Sequence, residues 1–242
     1  MKNEAFENFW AEQQSSLNRG SDQDYYARKA REHAFLLSTA SVDKGLVDFG
    51  CGAGELLACL YPLLKAPIIA MDFSAPLLEK AKANNKGHHI TFELGNALDY
   101  TPASGAVWMS CGAVGQFSTE SELEQFVRKF KDNNDAEALY FFDCVDPIKF
   151  HLFRAGVIGK YQVSQDDTHR LKRIYRLFKY ARWHLKWSQT SRLWCSLGSV
   201  GMGYGYHTSF WHRIHAQFKR LTLEIISSMQ FEYRYHVILR KK

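Results

Sequence analysis

The sequence predicts an α/β fold: a doubly wound sheet of seven strands, mostly parallel, that ends in an antiparallel hairpin. Three observations predict it. Short apolar runs alternate with amphipathic segments from residue 45 to residue 143, the pattern of strands joined by crossover helices. The first run closes on Asp48 and a turn with glycine at 50, 52 and 54. Two apolar runs, 221–227 and 233–239, stand close enough to pair with each other.

Taken in order, residues 3–17 form an amphipathic helix with Phe6, Phe9 and Trp10 on one side. A polar break at 18–22 follows, and Asp22 caps a helix over 23–38 with Ala27, Ala30, Ala34 and Leu37 at helical spacing. The core then reads strand 45–49, helix 56–64, strand 67–71 and a helix to residue 84 that Ser74 caps, with Pro76 in its first turn where proline is tolerated. Strands at 89–93 and 107–111, a helix to 130 capped by Ser118 or Thr119, and a strand at 138–143 complete the alternation. Residues 148–204 are an insertion. Thr208 or Ser209 caps a helix to 218 ahead of the final hairpin. The whole, 1–242, is expected to be one domain, with N-terminal helices over 1–40.

Composition excludes several classes. Hydrophobic residues at 46% and charged residues at 23% suit a soluble globular chain. Residues 1–10 contain Glu4 and Glu7 and no apolar core, and the apolar region 56–71 is broken by Pro62, Lys65 and Pro67, so neither a secretory signal nor a membrane span is expected. The five cysteines stand singly, which predicts reduced thiols and a cytoplasmic location. The ten histidines show no HExxH or paired spacing, so no metal site is expected. The net charge of +6 is uneven: residues 149–192 hold eleven Lys/Arg against Asp166 and Asp167. Within them, 168–189 reads as a basic amphipathic helix with Leu171, Ile174, Phe178, Ala181 and Leu185 at helical spacing among Tyr175, Tyr180, Trp183 and Trp187. Such a helix packs on its own domain as a lid, lies on an anionic membrane surface, or tracks RNA phosphates.

The glycine turn marks a ligand site, because glycine permits positive φ and lets backbone lie against a ligand while the following helix offers unpaired N–H groups. The ligand is not a dinucleotide, since Glu55 stands where the third spaced glycine of that fingerprint belongs, and no Gly-Lys-Ser/Thr follows to make a phosphate loop. The run Leu46-Val47-Asp48-Phe49-Gly50-Cys51-Gly52-Ala53-Gly54 instead resembles motif I of the class I S-adenosylmethionine-dependent methyltransferases of small-molecule type, which are Rossmann-like. The final hairpin fits the same resemblance, which extends over 22–145 and 205–240.

The resemblance implies S-adenosyl-L-methionine as cofactor and a set of site residues. Asp48, Gly50, Cys51, Gly52 and Gly54 form the cofactor loop. Asp72 accepts the ribose hydroxyls, and Phe73 flanks the adenine. Asn96 and Ala97 stand where the family has an acid that accepts from the adenine amino group; the Asn96 side-chain oxygen can still accept, and Asp99 is the alternative. Ser110, Cys111 and Gly112 run beneath the methionine moiety, with Gln116 facing the acceptor. The 23–38 helix acts as a lid, with Tyr25, Tyr26, Lys29, Arg31, Glu32 and His33 as wall candidates. Tyr25, Gln116 and Tyr204 are expected to touch substrate. The Asn/Asp-Pro-Pro-Tyr/Phe motif of enzymes that methylate exocyclic or amide nitrogens is missing. For a general base the glycine-punctuated loop 198–207 offers His207 first, since an ordinary imidazole pKa of ~6.5 suits proton transfer near neutrality, then Tyr206 and His33. The expected function is methylation of a small-molecule acceptor, anionic or lipid-linked, by in-line displacement. An RNA methyltransferase gripping through 149–192 and a non-catalytic cofactor-binding regulator are the competing readings.

Overall fold

The structure, a computed structural model, describes residues 23–102, 105–154, 192–197 and 200–242. The expected helix at 3–17, its Asp22-capped junction and the basic helix 168–189 lie outside the described residues.

The elements follow the expected alternation: α1 (Gln23–Leu37), β1 (Leu46–Phe49), α2 (Glu55–Leu64), β2 (Ile68–Asp72), α3 (Ala75–Asn84), β3 (Ile90–Leu94), β4 (Val107–Cys111), α4 (Glu120–Asp132) and β5 (Ala138–Val145). After them come α5 (Pro147–Arg154), β6 (Arg192–Leu197), β7 (Val200–Tyr206), α6 (Thr208–Gln217), β8 (Leu221–Ser227) and β9 (Arg234–Lys241). Seven strands make one sheet in the order β3-β2-β1-β4-β5-β9-β8. Parallel registers run Leu46↔Ile68 and Leu46↔Val107 on the two sides of β1, and Ile68↔Ile90 between β2 and β3. All of β1 is buried, as a strand covered on both faces requires. The order reverses between β1 and β4, so the crevice beyond their carboxyl ends is the ligand position of an open α/β sheet.

Backbone pairing fixes the sense of the last strands. Lys241 N–H meets the Glu137 carbonyl and Asp146 N–H meets the Tyr233 carbonyl, so residue numbers fall along β9 as they rise along β5. Likewise Ser228 N–H reaches Arg234 and Lys242 N–H reaches Arg220. β9 is therefore antiparallel to both neighbours, and β8 and β9 are the expected hairpin.

The chain divides into two compact units, one of residues 1–113, 119–140 and 241, the other of 114–118, 141–240 and 242. In the first, α4 turns Leu123, Phe126, Val127 and Phe130 inward at helical spacing. Phe126 and Trp108 each lie with ring centroids 4.9 Å from Phe49. Its caps are as expected: Thr119 Oγ1 accepts from Glu122 N–H at 3.1 Å, and Ser74 accepts from Leu77 N–H.

In the second unit the structure corrects two expectations. Within the expected 198–207 loop, Val200–Tyr206 form a strand, β7. β7 pairs antiparallel with β6, Trp194 opposite Tyr204 and Cys195 opposite Gly203, as a separate two-stranded sheet. The glycines serve close approach. Gly203 has φ +94, and a Cβ there would lie 2.6 Å from the Gly115 carbonyl oxygen, while one on Gly115 would lie 2.8 Å from the Tyr204 carbonyl oxygen. Backbone lies on backbone, which only glycine permits. The cap of α6 is His207, not Thr208 or Ser209: its Nδ1 accepts from Ser209 N–H at 3.2 Å. An imidazole nitrogen without its proton serves as an acceptor in the same way as a serine hydroxyl.

Deeper in this unit Trp211 Nε1 donates to the Tyr235 hydroxyl at 2.8 Å, which donates to the Tyr206 carbonyl at 2.5 Å. At the end of β5, Asp143 holds a left-handed φ of 57, a conformation unfavourable for a residue with a Cβ. Its carboxylate accepts from Arg234 Nη1 at 3.1 Å, with both side chains almost wholly buried, and its N–H donates to His236 Nδ1 at 3.2 Å. Removing one partner of a buried ion pair leaves the other charge stranded, at about 3–5 kcal/mol. Arg234→Met is therefore expected to lose about that much stability in urea unfolding; a change below about 1 kcal/mol, the range of an exposed pair, would show that the pair is solvated.

Candidate functional site

In the first unit the glycine turn leaves β1 at the switch point, and its shape is fixed from several sides. Gly50 and Cys51 N–H both donate to the Met71 carbonyl at 2.9 Å. Gly52 N–H donates to Asp72 Oδ2 at 2.8 Å, and Ser74 N–H to Asp72 Oδ1 at 2.9 Å. From the end of α3, Asn84 Nδ2 donates to the Ala53 carbonyl at 2.8 Å and Asn85 Nδ2 to the Gly54 carbonyl at 3.0 Å. Gly54, at φ +74, caps α2, and a Cβ there would come within 2.6 Å of Asn85 Nδ2.

The electrostatics are set by two buried carboxylates. Asp48 is pushed up from 3.8 to about 7, first by burial and then by the neighbouring negative charge of Asp72, with the Lys29 ammonium opposing. Burial also raises Asp72, against the N–H groups of Ser74, Gly52 and Phe73 that hold its ionised form. Burial, followed by the charge of Asp48, keeps the Cys51 thiol protonated. A pocket of this kind disfavours anions and favours a cation.

Helix α1 contributes more than a solvated face. Lys29, Glu32 and His33 are buried while Arg31 is exposed. Tyr25 is buried, with the Lys29 ammonium 5.4 Å above its ring and Tyr26 edge-on at 5.2 Å. The Tyr26 hydroxyl is held protonated by burial and then by the charge of Glu55.

On the other side of the crevice Phe73 is exposed. Asn96 begins a turn in which its own Oδ1 accepts from Leu98 N–H at 2.8 Å, so that oxygen is engaged locally. Ser110 is buried at the end of β4, and Gly112, at φ +70, is exposed just beyond it. Asp48, Gly50, Cys51, Gly52, Gly54, Asp72, Phe73, Asn96, Ala97, Cys111, Gly112, Tyr25 and His33 thus all belong to this first unit.

Gln116, Tyr204, Tyr206 and His207 belong to the second. Gln116 lies in a 3-10 turn over Val114–Gln116, against which β7 packs. Tyr204 carries the Arg192 guanidinium 3.6 Å over its ring, and Arg192 Nη1 donates to the Ser118 carbonyl at 2.8 Å. Trp194 meets Tyr204 edge-on at 5.1 Å and is exposed. The Tyr206 ring is buried against Phe210 and Trp211. With Nδ1 of His207 engaged in the cap, Nε2 is the nitrogen left for chemistry. Sequence reasoning missed Asn84, Asn85 and Arg192, which act across long separations; for the asparagines the only local signal is an amide pair at a helix end.

The comparisons agree with this geometry. Residues 46–133 match the family described as a methyltransferase domain. No curated protein sequence matches the chain. Among solved structures, DesVI of Streptomyces venezuelae is 16% identical with a TM-score of 0.58 and full coverage of both chains, 100% and 100%. The CcbJ methyltransferase of Streptomyces caelestis is 14% identical, TM-score 0.59, covering 88% of this chain and 89% of its own. Magnesium protoporphyrin IX methyltransferase of Synechocystis PCC 6803 with bound S-adenosylmethionine is 10% identical, TM-score 0.54, covering 93% and 86%. Such identities speak for the fold: over residues 46–133 the chain matches a methyltransferase domain, and its Rossmann-like sheet is similar to that of these solved methyltransferases.

Proposed function

We propose that the chain methylates a small-molecule acceptor that carries negative charge, free or linked to a lipid. The observation that carries this reading is the second unit's own platform, in which the β6–β7 hairpin lies backbone to backbone on the Val114–Gln116 turn just beyond β4. The acceptor side is built from Gln116, Tyr204 and a guanidinium, Arg192, stacked on that tyrosine, a scale that suits a metabolite. Arg192, Lys149 and Arg154 are the described part of the basic stretch and favour an anionic group. A neighbour named for magnesium protoporphyrin IX supports a small-molecule acceptor by analogy.

When bound, the cofactor supplies a methyl group on a sulfonium, open to in-line displacement. The chain's residues would do the rest. Asp72 would hold the ribose, the Gly50–Gly54 turn would give room to the amino-acid tail, and the buried carboxylates would favour the cationic form. Alignment of this kind contributes ~7–11 kcal/mol to bimolecular transfer. Nε2 of His207 is the atom proposed to take a proton from the acceptor; the buried Tyr206 and His33 are the further candidates.

Radiolabelled methyl donor incubated with fractionated cell extract is expected to label the small-molecule or lipid pool. Label confined to RNA would overturn the acceptor assignment. In the same assay His207→Asn, which keeps a capping side chain, is expected to remain folded and lose ~10²-fold or more of the labelling rate; an unchanged rate would leave His207 a cap alone.

Calorimetry tests the cofactor side. Asp72→Ala is expected to weaken S-adenosylmethionine by about 1.5–3 kcal/mol, the worth of hydrogen bonds to a charged group, and equal affinity would remove the ribose role. Asp48 takes up its proton more readily in the folded chain than in the unfolded one, so its contribution to stability is full below about pH 4 and is lost as pH rises towards about 7. A cation favours the ionised form. Binding near pH 6.5 should therefore release protons, visible as a dependence of the heat on buffer ionisation, and affinity should rise with pH up to about 7. Asp48→Asn should abolish the release; a release that persists would place it on another group.

A further inference from the structure

We propose that Lys129 is a positioning residue for the adenine end of the cofactor, its ammonium gathering three carbonyls of the 96–100 turn and so fixing which donors that turn presents. The inference rests on the cofactor site described above and assigns the means by which that site reads the base.

The turn follows β3 and is wound about Asn96. The Asn96 carbonyl accepts from Asp99 N–H at 3.0 Å and from Tyr100 N–H at 2.9 Å, and its side-chain oxygen accepts from Leu98 N–H. Three N–H groups are thereby turned inward. The carbonyls of Ala97, Leu98 and Tyr100 then have no partner within the turn, and Lys129, near the end of α4, supplies one for all three. Its Nζ donates to Leu98 at 3.1 Å and to Ala97 at 3.4 Å, and also to Tyr100. An ammonium has three N–H donors and no acceptor, so three carbonyls satisfy it. Burial lowers the proton affinity of Lys129, and Asp99 offsets this.

With the carbonyls drawn to Lys129 and three N–H groups to Asn96, the turn keeps the Ala97 N–H and the Asn96 side-chain NH2 for a ligand. Both are donors. Adenine presents unprotonated ring nitrogens to such a pair, whereas hypoxanthine carries a proton on N1, which would meet a donor head-on. Lys129 never touches the base in this account; it acts through the turn.

The test is the ratio of affinities for S-adenosylhomocysteine and S-inosylhomocysteine, measured by calorimetry on the full chain. The wild type is expected to prefer the adenine ligand by about tenfold or more. Lys129→Met should lose most of that preference, and Lys129→Gln, which keeps two N–H donors, should fall between. Lys131→Met, which removes an exposed lysine paired with Asp132, should keep the full ratio. A merely structural loss would lower both affinities together and leave the ratio intact. A folded Lys129→Met or Lys129→Gln with an unchanged ratio would overturn the proposal alone; a wild type that binds neither ligand would overturn the cofactor site and the proposal with it.

Discussion

Two carboxylates confined beneath a glycine turn set the terms for the cofactor side of this molecule. Charge removed from water must be paired, neutralised or reserved for a ligand of opposite sign. Asp72 is held by backbone N–H groups of the turn it supports, and Asp48, behind it, carries a proton at least part of the time near neutrality. Lys29 on α1 supplies a partial counter-charge. The turn cannot be reshaped independently, because its N–H groups go to Met71 and Asp72 and its carbonyls to Asn84 and Asn85. The same atoms that build the turn therefore decide the sign of what can lie on it.

The second unit follows a different logic. Its elements are fixed by shape more than by charge: the Gly203 and Gly115 backbones in direct approach, Tyr204 under a guanidinium, and Trp211, Tyr235 and Tyr206 in a hydrogen-bonded line. Where charge is buried there, in Asp143 and Arg234, it is already paired.

What could be read from the sequence divides along the same line. The parallel strands were legible because buried strands read as continuous apolar runs, and β1, β2 and β4 fell within two residues of their expected bounds. Thr119 and Ser74 announced their helices by the ordinary chemistry of caps. The β6–β7 hairpin was not legible. Gly201, Gly203 and Gly205 suggest chain reversal when read locally, and only the pairing with β6 shows that they sit in a strand. Nor does the sequence say that one nitrogen of His207 is engaged by Ser209, which leaves Nε2 for the proposed proton transfer. The three carbonyls at Lys129 were equally hidden, because backbone acceptors leave no trace in residue types.

The contact between Gly203 and Gly115 has a consequence for how such a protein can change. A seam of bare backbone has no side chain to trade, so substitution there meets atoms that cannot turn aside. The chain between Arg154 and Arg192 starts and ends on elements secured by their own contacts, α5 and β6. Loop closure grows costlier by only about 0.6 kcal/mol for each doubling in length. Changes of length in that stretch therefore cost little, while the seam stays as it is, which makes the glycines a fixed datum.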